Sequence, residues 1–288
     1  MQGAIVREHS GMVRLSLAGV PKPFVEVSSE HYARLSALHA KHAQSADGAL
    51  SSRALCLLLR YQSLGAHGFQ CALPARIFEV LRERLGVTLE AFASPLNATH
   101  LEGYCSAFGD VDAHFGSLGS FFDFHPSEGS FEANPPFVPE VMLKAVEHAE
   151  ALLQRAEAAG RALSFCFVVP AWETLPFWQR LCTTSPWRGR ASDPIQLDAD
   201  AHAYVDGAAH LKSEAADRLR PSSFGTTIVA LQTSAAAQRW PCDAALRGEL
   251  VAAFRESLPS ESELKKRTER GGVGKGDAVA RMMKRRKV

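Results

Sequence analysis

Asn134-Pro135-Pro136-Phe137 sets an amide, two rigid prolines and an aromatic ring side by side. Such a group is suited to holding an exocyclic amino group of a nucleobase while it is alkylated. The N6 nitrogen of adenine is a poor nucleophile, because its lone pair is delocalised into the ring. The amide oxygen of Asn134 and the backbone carbonyl of Pro135 can each accept one N–H, drawing that nitrogen toward tetrahedral geometry. Its lone pair then points at an electrophilic methyl group, and no general base is needed. Each proline fixes its own φ and keeps the residue before it extended. The acceptors are therefore in place before a substrate arrives. Phe137 is expected to stack on the base, a contact worth roughly 1–3 kcal/mol.

Asn-Pro-Pro is also an ordinary turn, so the elements around it matter. A strand over 129–133 before the tetrapeptide and a helix over about 139–159 after it place it at the carboxyl edge of an open α/β sheet. That edge is where such folds bind ligands. Residues 163–169, almost wholly apolar and preceded by Gly160, read as a buried parallel strand. Residues 87–92 read as a strand, 224–232 as a further one, antiparallel at the sheet edge, and 104–123 as irregular.

Upstream, 12–27 reads as two short strands around Gly19, followed by helices that start at Ser28-Ser29-Glu30, span 49–64, and span 74–85 with Gly86 as the stop. The pattern predicts a mainly helical N-terminal domain over 1–88, an α/β domain over 89–258, and a basic flexible tail over 259–288.

A chain of 288 residues with 46% apolar and 22% charged content is sized and balanced for a sizeable globular core. Its six cysteines are scattered with no Cys-x-x-Cys, which argues against a disulfide scaffold or zinc cluster and for a reducing compartment. No apolar run reaches the roughly 18 residues of a membrane span. The net charge of +1 conceals a division: 265–288 holds ten Lys and Arg against two acids, so this end carries +8 and the rest −7. Such an arm suits RNA or an import receptor, and Lys284-Arg285-Arg286-Lys287 is similar to a short nuclear import signal. A nuclear location is expected, with the cytoplasm as the alternative.

Five blocks in order carry a family resemblance. They are Leu-Leu-Arg-Tyr-Gln at 58–62, Phe-Ala-Ser-Pro-Leu-Asn at 92–97, Tyr-Cys-Ser-Ala-Phe at 104–108, Asp-x-Asp-x-x-Phe-Gly-Ser at 110–117, and Gly-Ser-Phe-Glu-Ala-Asn-Pro-Pro-Phe at 129–137. Weaker likeness continues through 168–172 and 226–232. Over about 12–245 the chain resembles the phosphorylated CTD-interacting factor family of cap-specific adenosine N6-methyltransferases. The resemblance implies a Rossmann-like class I methyltransferase domain with a helical companion, using S-adenosylmethionine. The implied substrate is capped mRNA, modified at N6 of the first transcribed, 2′-O-methylated adenosine. Two alternatives stay open: adenine-N6 methylation of DNA or internal RNA, and a catalytically silent cap- or RNA-binding module. There is no room for the WW module of animal members, so contact with polymerase tails is not expected. Ala171 stands where the family's Pro-x-Trp element suggests an acid.

Roles follow from this resemblance and from position. Asn134 and Pro135 are assigned to the amino group, Phe137 to the base, and Phe92, Ser94, Pro95 and Asn97 to the cofactor. The chain has no glycine fingerprint for that cofactor. An acid about 20 residues beyond the first strand commonly holds a ribose; Asp123 is the candidate, with Asp110 and Asp112 competing. Glu132 and Asn134 can face the cofactor. Arg60, in an otherwise apolar helix, can reach the cofactor carboxylate, an RNA phosphate, or an acid at a domain interface. Trp172, Trp178 and Trp187 can stack on cap or bases, or pack. His39-x-x-His42 and the pair His202/His210 lack cysteine or acid partners at ligand spacing, so no metal is expected and they read as exposed helix histidines. Gly271–Gly276 lacks the rest of a phosphate loop and reads as linker.

Overall fold

A computed structural model describes residues 4–17, 19–43, 49–64, 71–98, 101–187 and 193–269; the expected import signal and the 271–276 glycine run lie outside them. The described chain opens with an antiparallel meander of β1 (Ala4–His9), β2 (Met12–Leu17) and β3 (Val20–Ser28), of which β1 was not expected from the sequence. Helix α1 (Ser29–His42) starts where Ser28 accepts a hydrogen bond from the His31 backbone N–H, as a good N-cap does. After α2 (Leu50–Ser63), α3 (Ala75–Leu85) stops at Gly86. Gly86 has φ +62°, and a Cβ there would overlap the Trp240 indole, so only glycine fits.

The body follows as β4 (Leu89–Ala93), β5 (Gly103–Ser106), the short helix α4 (Gly109–Asp112), β6 (Gly129–Ala133), α5 (Pro139–Ala158), β7 (Leu163–Pro170), the short helix α6 (Pro176–Gln179), β8 (Ile195–Leu197), β9 (Ala203–Val205), β10 (Leu219–Pro221) and β11 (Thr226–Gln232). Three helices close it: α7 (Ser234–Arg239), α8 (Ala244–Glu256) and α9 (Glu261–Glu269). The last of these lies in the stretch expected to be flexible tail. Leu264, 1% exposed, anchors it there.

Six strands form one mixed sheet in the order β5-β4-β6-β7-β11-β8. Strands β5, β4, β6 and β7 run parallel, while β11 runs antiparallel to both β7 and β8. This architecture fits a Rossmann-like methyltransferase. β11 is therefore interior rather than at the edge, and β5 forms within the stretch expected to be irregular. The sequence hid β5 because it is four residues long and bears no strong alternation. All eight residues of β7 are buried, as expected of a strand covered on both faces.

Register sorts the two faces. Phe131 and Phe165 are partners, with Phe121 packed against Phe165 and His148 of α5 against Phe121. Glu132 and Cys166 are partners on the opposite face, where Gln232, level with Ser164, donates to Trp240 O and accepts from Cys242 Sγ. Helix α3 belongs to this main core through Ile77, Phe78, Leu81 and Leu85. The meander, α1 and α2 surround a second core of Leu15, Val27, Leu35 and Leu57, which Leu96 and Phe115 of the body enter. Among the described residues no helix is long and apolar enough to cross a membrane.

Candidate active site

The chain leaves β4 toward β5 on one side and returns to β6 on the other, so strand order reverses at β4 and β6. A crevice forms outside the carboxyl ends of two strands where order reverses in this way. The two segments picked out in the sequence emerge there together, the turn after β4 and the tetrapeptide after β6.

The first segment is a closed turn. Asn97 Oδ1 accepts from the Ser94 backbone N–H at 2.7 Å and from Ser94 Oγ at 3.0 Å, while Ala98 N–H donates to Ser94 O at 2.9 Å. Ser94 and Asn97 thus fix the turn's shape, and with Leu96 they line a cavity of about 1090 Å³. The opposite walls come from β3 and α1, from Pro74–Arg76, and from the segment between β9 and β10. Arg34 of α1 points its guanidinium here: Nη2 lies 3.5 Å from Pro95 O, and Nε is buried with no partner. Burial pulls its pKa down to about 10, against the opposing charges of Glu30 and Glu90, so it stays cationic at neutral pH.

The second segment holds Asn134, 8% exposed. Its Nδ2 donates to the Cys71 carbonyl at 2.7 Å. A carbonyl can only accept, so this contact selects the amide nitrogen and turns Oδ1 the other way. That oxygen is buried without a partner. Cys71 is itself held by the next residue, since Ala72 and Val205 exchange backbone hydrogen bonds of 3.0 and 2.9 Å. The β9 segment therefore braces the amide from behind. Pro135 is buried beside it.

Several expected residues lie elsewhere. Phe137 is 3% exposed, with its ring met edge-on by Phe224, Tyr204 and Trp172 at 5.3, 6.0 and 6.4 Å between centroids. It is thus held within an aromatic cluster directly behind Asn134 and Pro135. Phe92 packs with Phe121 and Phe122, away from the cavity. Arg60 makes an exposed ion pair with Asp110 at 3.2 Å and lies over the Phe108 ring. Asp123 is exposed on a short turn of helix. Asp112 is fully buried and takes a hydrogen bond of 2.6 Å from the Tyr61 hydroxyl. Burial raises the Asp112 pKa, with the Tyr61 hydrogen bond pulling the other way. The acids that do line the cavity are Glu26, Glu30 and Asp206. Glu132 sits inside the sheet, 1% exposed, in register with Glu90 of β4. Burial, then the Glu90 charge, holds its carboxyl well above the usual range.

A protein-family model described as the phosphorylated CTD interacting factor 1 WW domain matches residues 31–207, more than half of the chain. The chain belongs to this family. The match to the phosphorylated CTD interacting factor 1 family runs from α1 through β9, so it takes in Arg34, the turn after β4 and Asn134. A human relative named mRNA (2'-O-methyladenosine-N(6)-)-methyltransferase is 34% identical over 277 residues, covering 87% of this chain and 38% of its own length. A mouse relative of the same name is 33% identical over 272 residues, covering 85% and 37%. The chain thus spans about two fifths of the length of these relatives.

Arg34 is one of the cavity residues that sequence reasoning missed, with Glu26, Glu30 and Asp206. An arginine on an amphipathic helix gives no signal of its own; only the packing of α1 over Pro95 reveals it. The His202/His210 pair differs from expectation too. His202 is fully buried, its Nε2 2.7 Å from Thr226 Oγ1. Among the described residues no three His, Cys, Asp or Glu gather as metal ligands. Burial pushes the pKa of His31 down to about 3, and those of His202 and His210 to about 4. In the unfolded chain these imidazoles take up protons near 6.5, which the folded protein refuses. Their stabilisation is complete above that value and is lost as pH falls through it toward the folded values, by up to about 1.4 kcal/mol per unit for each fully buried ring. Glu132, with its raised pKa, opposes them with the reverse sign. Thermal melts at about pH 7, 6 and 5 are expected to show a steadily falling midpoint; a flat or rising one contradicts this account.

Proposed function

We propose that this chain transfers a methyl group from S-adenosylmethionine to N6 of the adenosine beside the cap of mRNA, the position already methylated on its ribose. The observation that carries the reading is the buried, unpartnered Asn134 Oδ1, fixed by Cys71 at the carboxyl end of β6. A buried acceptor left unpaired costs about 1–3 kcal/mol, so a substrate N–H placed there recovers what folding gives up. The family, and the names of the human and mouse relatives, point the same way.

The residues present fit the cofactor. The cavity is slightly larger than the size usual for small-molecule sites, and the orphaned Arg34 Nε beside Pro95 matches a carboxylate such as the methionine end carries. Ser94 and Asn97 would shape the turn against that end, and Asp206 or Glu30 would accept from ribose hydroxyls. When bound, S-adenosylmethionine supplies a methyl group activated on sulfur. Asn134 Oδ1 and the Pro135 carbonyl accept the two N–H bonds of the amine and orient its lone pair. The prolines hold both acceptors still. The basic stretch over 265–288 would add affinity for RNA or direct the chain to the nucleus.

The deciding experiment incubates the chain with isotopically labelled donor and matched oligonucleotides, capped and uncapped, and identifies the terminal nucleosides by mass spectrometry. Label in N6,2′-O-dimethyladenosine from capped RNA alone is the expected result. Label in internal or DNA adenine would redirect the reading to another adenine substrate, and no label with intact cofactor binding would make the chain a binding module.

A further inference from the structure

The cavity wall between β9 and β10 is built unlike the others. Residues 206–218 leave and rejoin that strand pair at one point: Val205 is level with Leu219, and the Asp206 N–H donates to Arg218 O at 2.8 Å. A compact loop with joined ends is an Ω-loop, and this one is tied together by its own polar groups. Lys212 Nζ donates to Asp206 Oδ2 and to Asp217 O, each at 2.9 Å, and Asp206 Oδ1 accepts from the Ala208 N–H at 2.9 Å. Arg218 donates from Nε to Lys212 O at 3.2 Å and from Nη2 to Ser213 O at 3.3 Å. Outward, the loop is held lightly. None of its residues belongs to either hydrophobic core. The turn Ala209–Leu211 packs against β3, and Ser213 lies beside Gly11 in the turn between β1 and β2. Arg218 Nη1 donates to Glu30 Oε2 of α1 at 2.7 Å, a carboxylate side chain 72% exposed. The loop thus spans the cavity, with 206–211, Ala215 and Arg218 on one side and Glu26, Glu30, His31 and Arg34 on the other.

We infer that 206–218 is a lid on this cavity, hinged at the β9–β10 pair and latched by Arg218 to Glu30. This rests on the reading that the cavity takes S-adenosylmethionine. A segment with few buried apolar contacts opens at low free-energy cost, and an exposed ion pair adds little to its hold. The internal ties keep the loop one body while it swings, so neither core is disturbed. The hinge itself stays in place, because Val205 is bonded on its other side to Ala72. Opening gives the donor a way in and its by-product a way out, and closing shuts water from the cavity. The lid therefore governs the rate of cofactor exchange and leaves the affinity to the residues of the cavity.

The test uses the full chain and radiolabelled S-adenosylhomocysteine, with uptake and release followed by rapid filtration. A Cβ built on Gly11 falls 3.6 Å from Ser213 Cβ, inside the spacing of about 3.5–4.5 Å that a disulfide needs. The double variant Gly11→Cys/Ser213→Cys, oxidised, therefore fastens the loop to the meander. Its reduced form controls for strain at Gly11, where φ is +75°, and Ser213→Cys treated with the same oxidant controls for the six native cysteines. The crosslinked form is expected to take up and release the compound about tenfold or more slowly, with affinity within about threefold of the reduced form, as a held lid requires. Reduction is expected to restore both rates. Arg218→Met cuts the latch, and is expected to speed both rates by up to about fivefold, the span that an exposed ion pair commands. Exchange at the same rate with and without the crosslink overturns the inference by making the loop a fixed wall. Failure of the two cysteines to join overturns it as well, since the lid then does not close on Gly11. A wild-type chain that binds no S-adenosylhomocysteine overturns the cofactor reading and the lid with it, whereas normal binding with rates indifferent to the crosslink overturns the lid alone.

Discussion

Asn134→Ala is expected to slow methyl transfer by about a thousandfold or more while changing S-adenosylhomocysteine affinity by less than about threefold. Loss of one fixed hydrogen-bond partner at a reacting group typically costs a factor of about 10²–10³. Here the loss is at the upper end, since Oδ1 is buried and its amide is fixed from behind by the Cys71 carbonyl. Cofactor affinity is spared because the cavity walls run along the β4 turn and α1, not along Asn134. The substitution also strips the Cys71 carbonyl of its donor, at a stability cost of about 1–3 kcal/mol, so circular dichroism melts must accompany the kinetics. Asn134→Asp separates two parts of the argument. It keeps an acceptor but sets a carboxylate against the Cys71 carbonyl, where no donor remains to fix it. Its rate should fall between wild type and alanine. An alanine variant working within tenfold of wild type would remove the central assignment.

How much of this was legible in the sequence depends on the range of the forces involved. α3 was readable because its stop signal is local: Gly86 is the residue that tolerates a left-handed φ. β7 was readable because burial on both faces writes a continuous apolar run. The position of β11 was not, because β8, the three-residue strand that covers its outer side, is made by pairing and carries no pattern of its own. The same division applies to the site. Asn134 and the 94–97 turn are marked by prolines and by short-range hydrogen bonds that any sequence reader can anticipate. The surroundings of Phe137, Arg60 and Arg34 were not legible, because they depend on what lies across the fold. Phe137 meets Tyr204 and Phe224 from distant segments, Arg60 meets Asp110, and Arg34 meets Pro95. Composition cannot tell one arginine from the other. Only Arg34 enters the cavity, and burial makes the difference.

That difference yields the second large effect. Arg34→Met is expected to weaken S-adenosylhomocysteine binding roughly ten- to hundredfold, the range that a charge-assisted hydrogen bond of about 1.5–3 kcal/mol commands. Methionine keeps the unbranched stem of arginine as far as the Nε position, so the α1 packing survives while the guanidinium is lost. The folded protein loses little by the change, since among the described residues Nε has no partner and Nη2 has only the long contact to Pro95 O. Arg60→Met serves as the contrasting case. Its ion pair with Asp110 is exposed, 43% and 65% on the two sides, and pairs of that kind contribute about 0–1 kcal/mol. Isothermal titration of both variants with S-adenosylhomocysteine should therefore show a large loss for Arg34 and almost none for Arg60. The reverse order would move the cofactor carboxylate to the α2 surface and empty the cavity of its proposed occupant. Losses in RNA affinity alone, with cofactor binding intact, would hand Arg34 to a phosphate of the substrate.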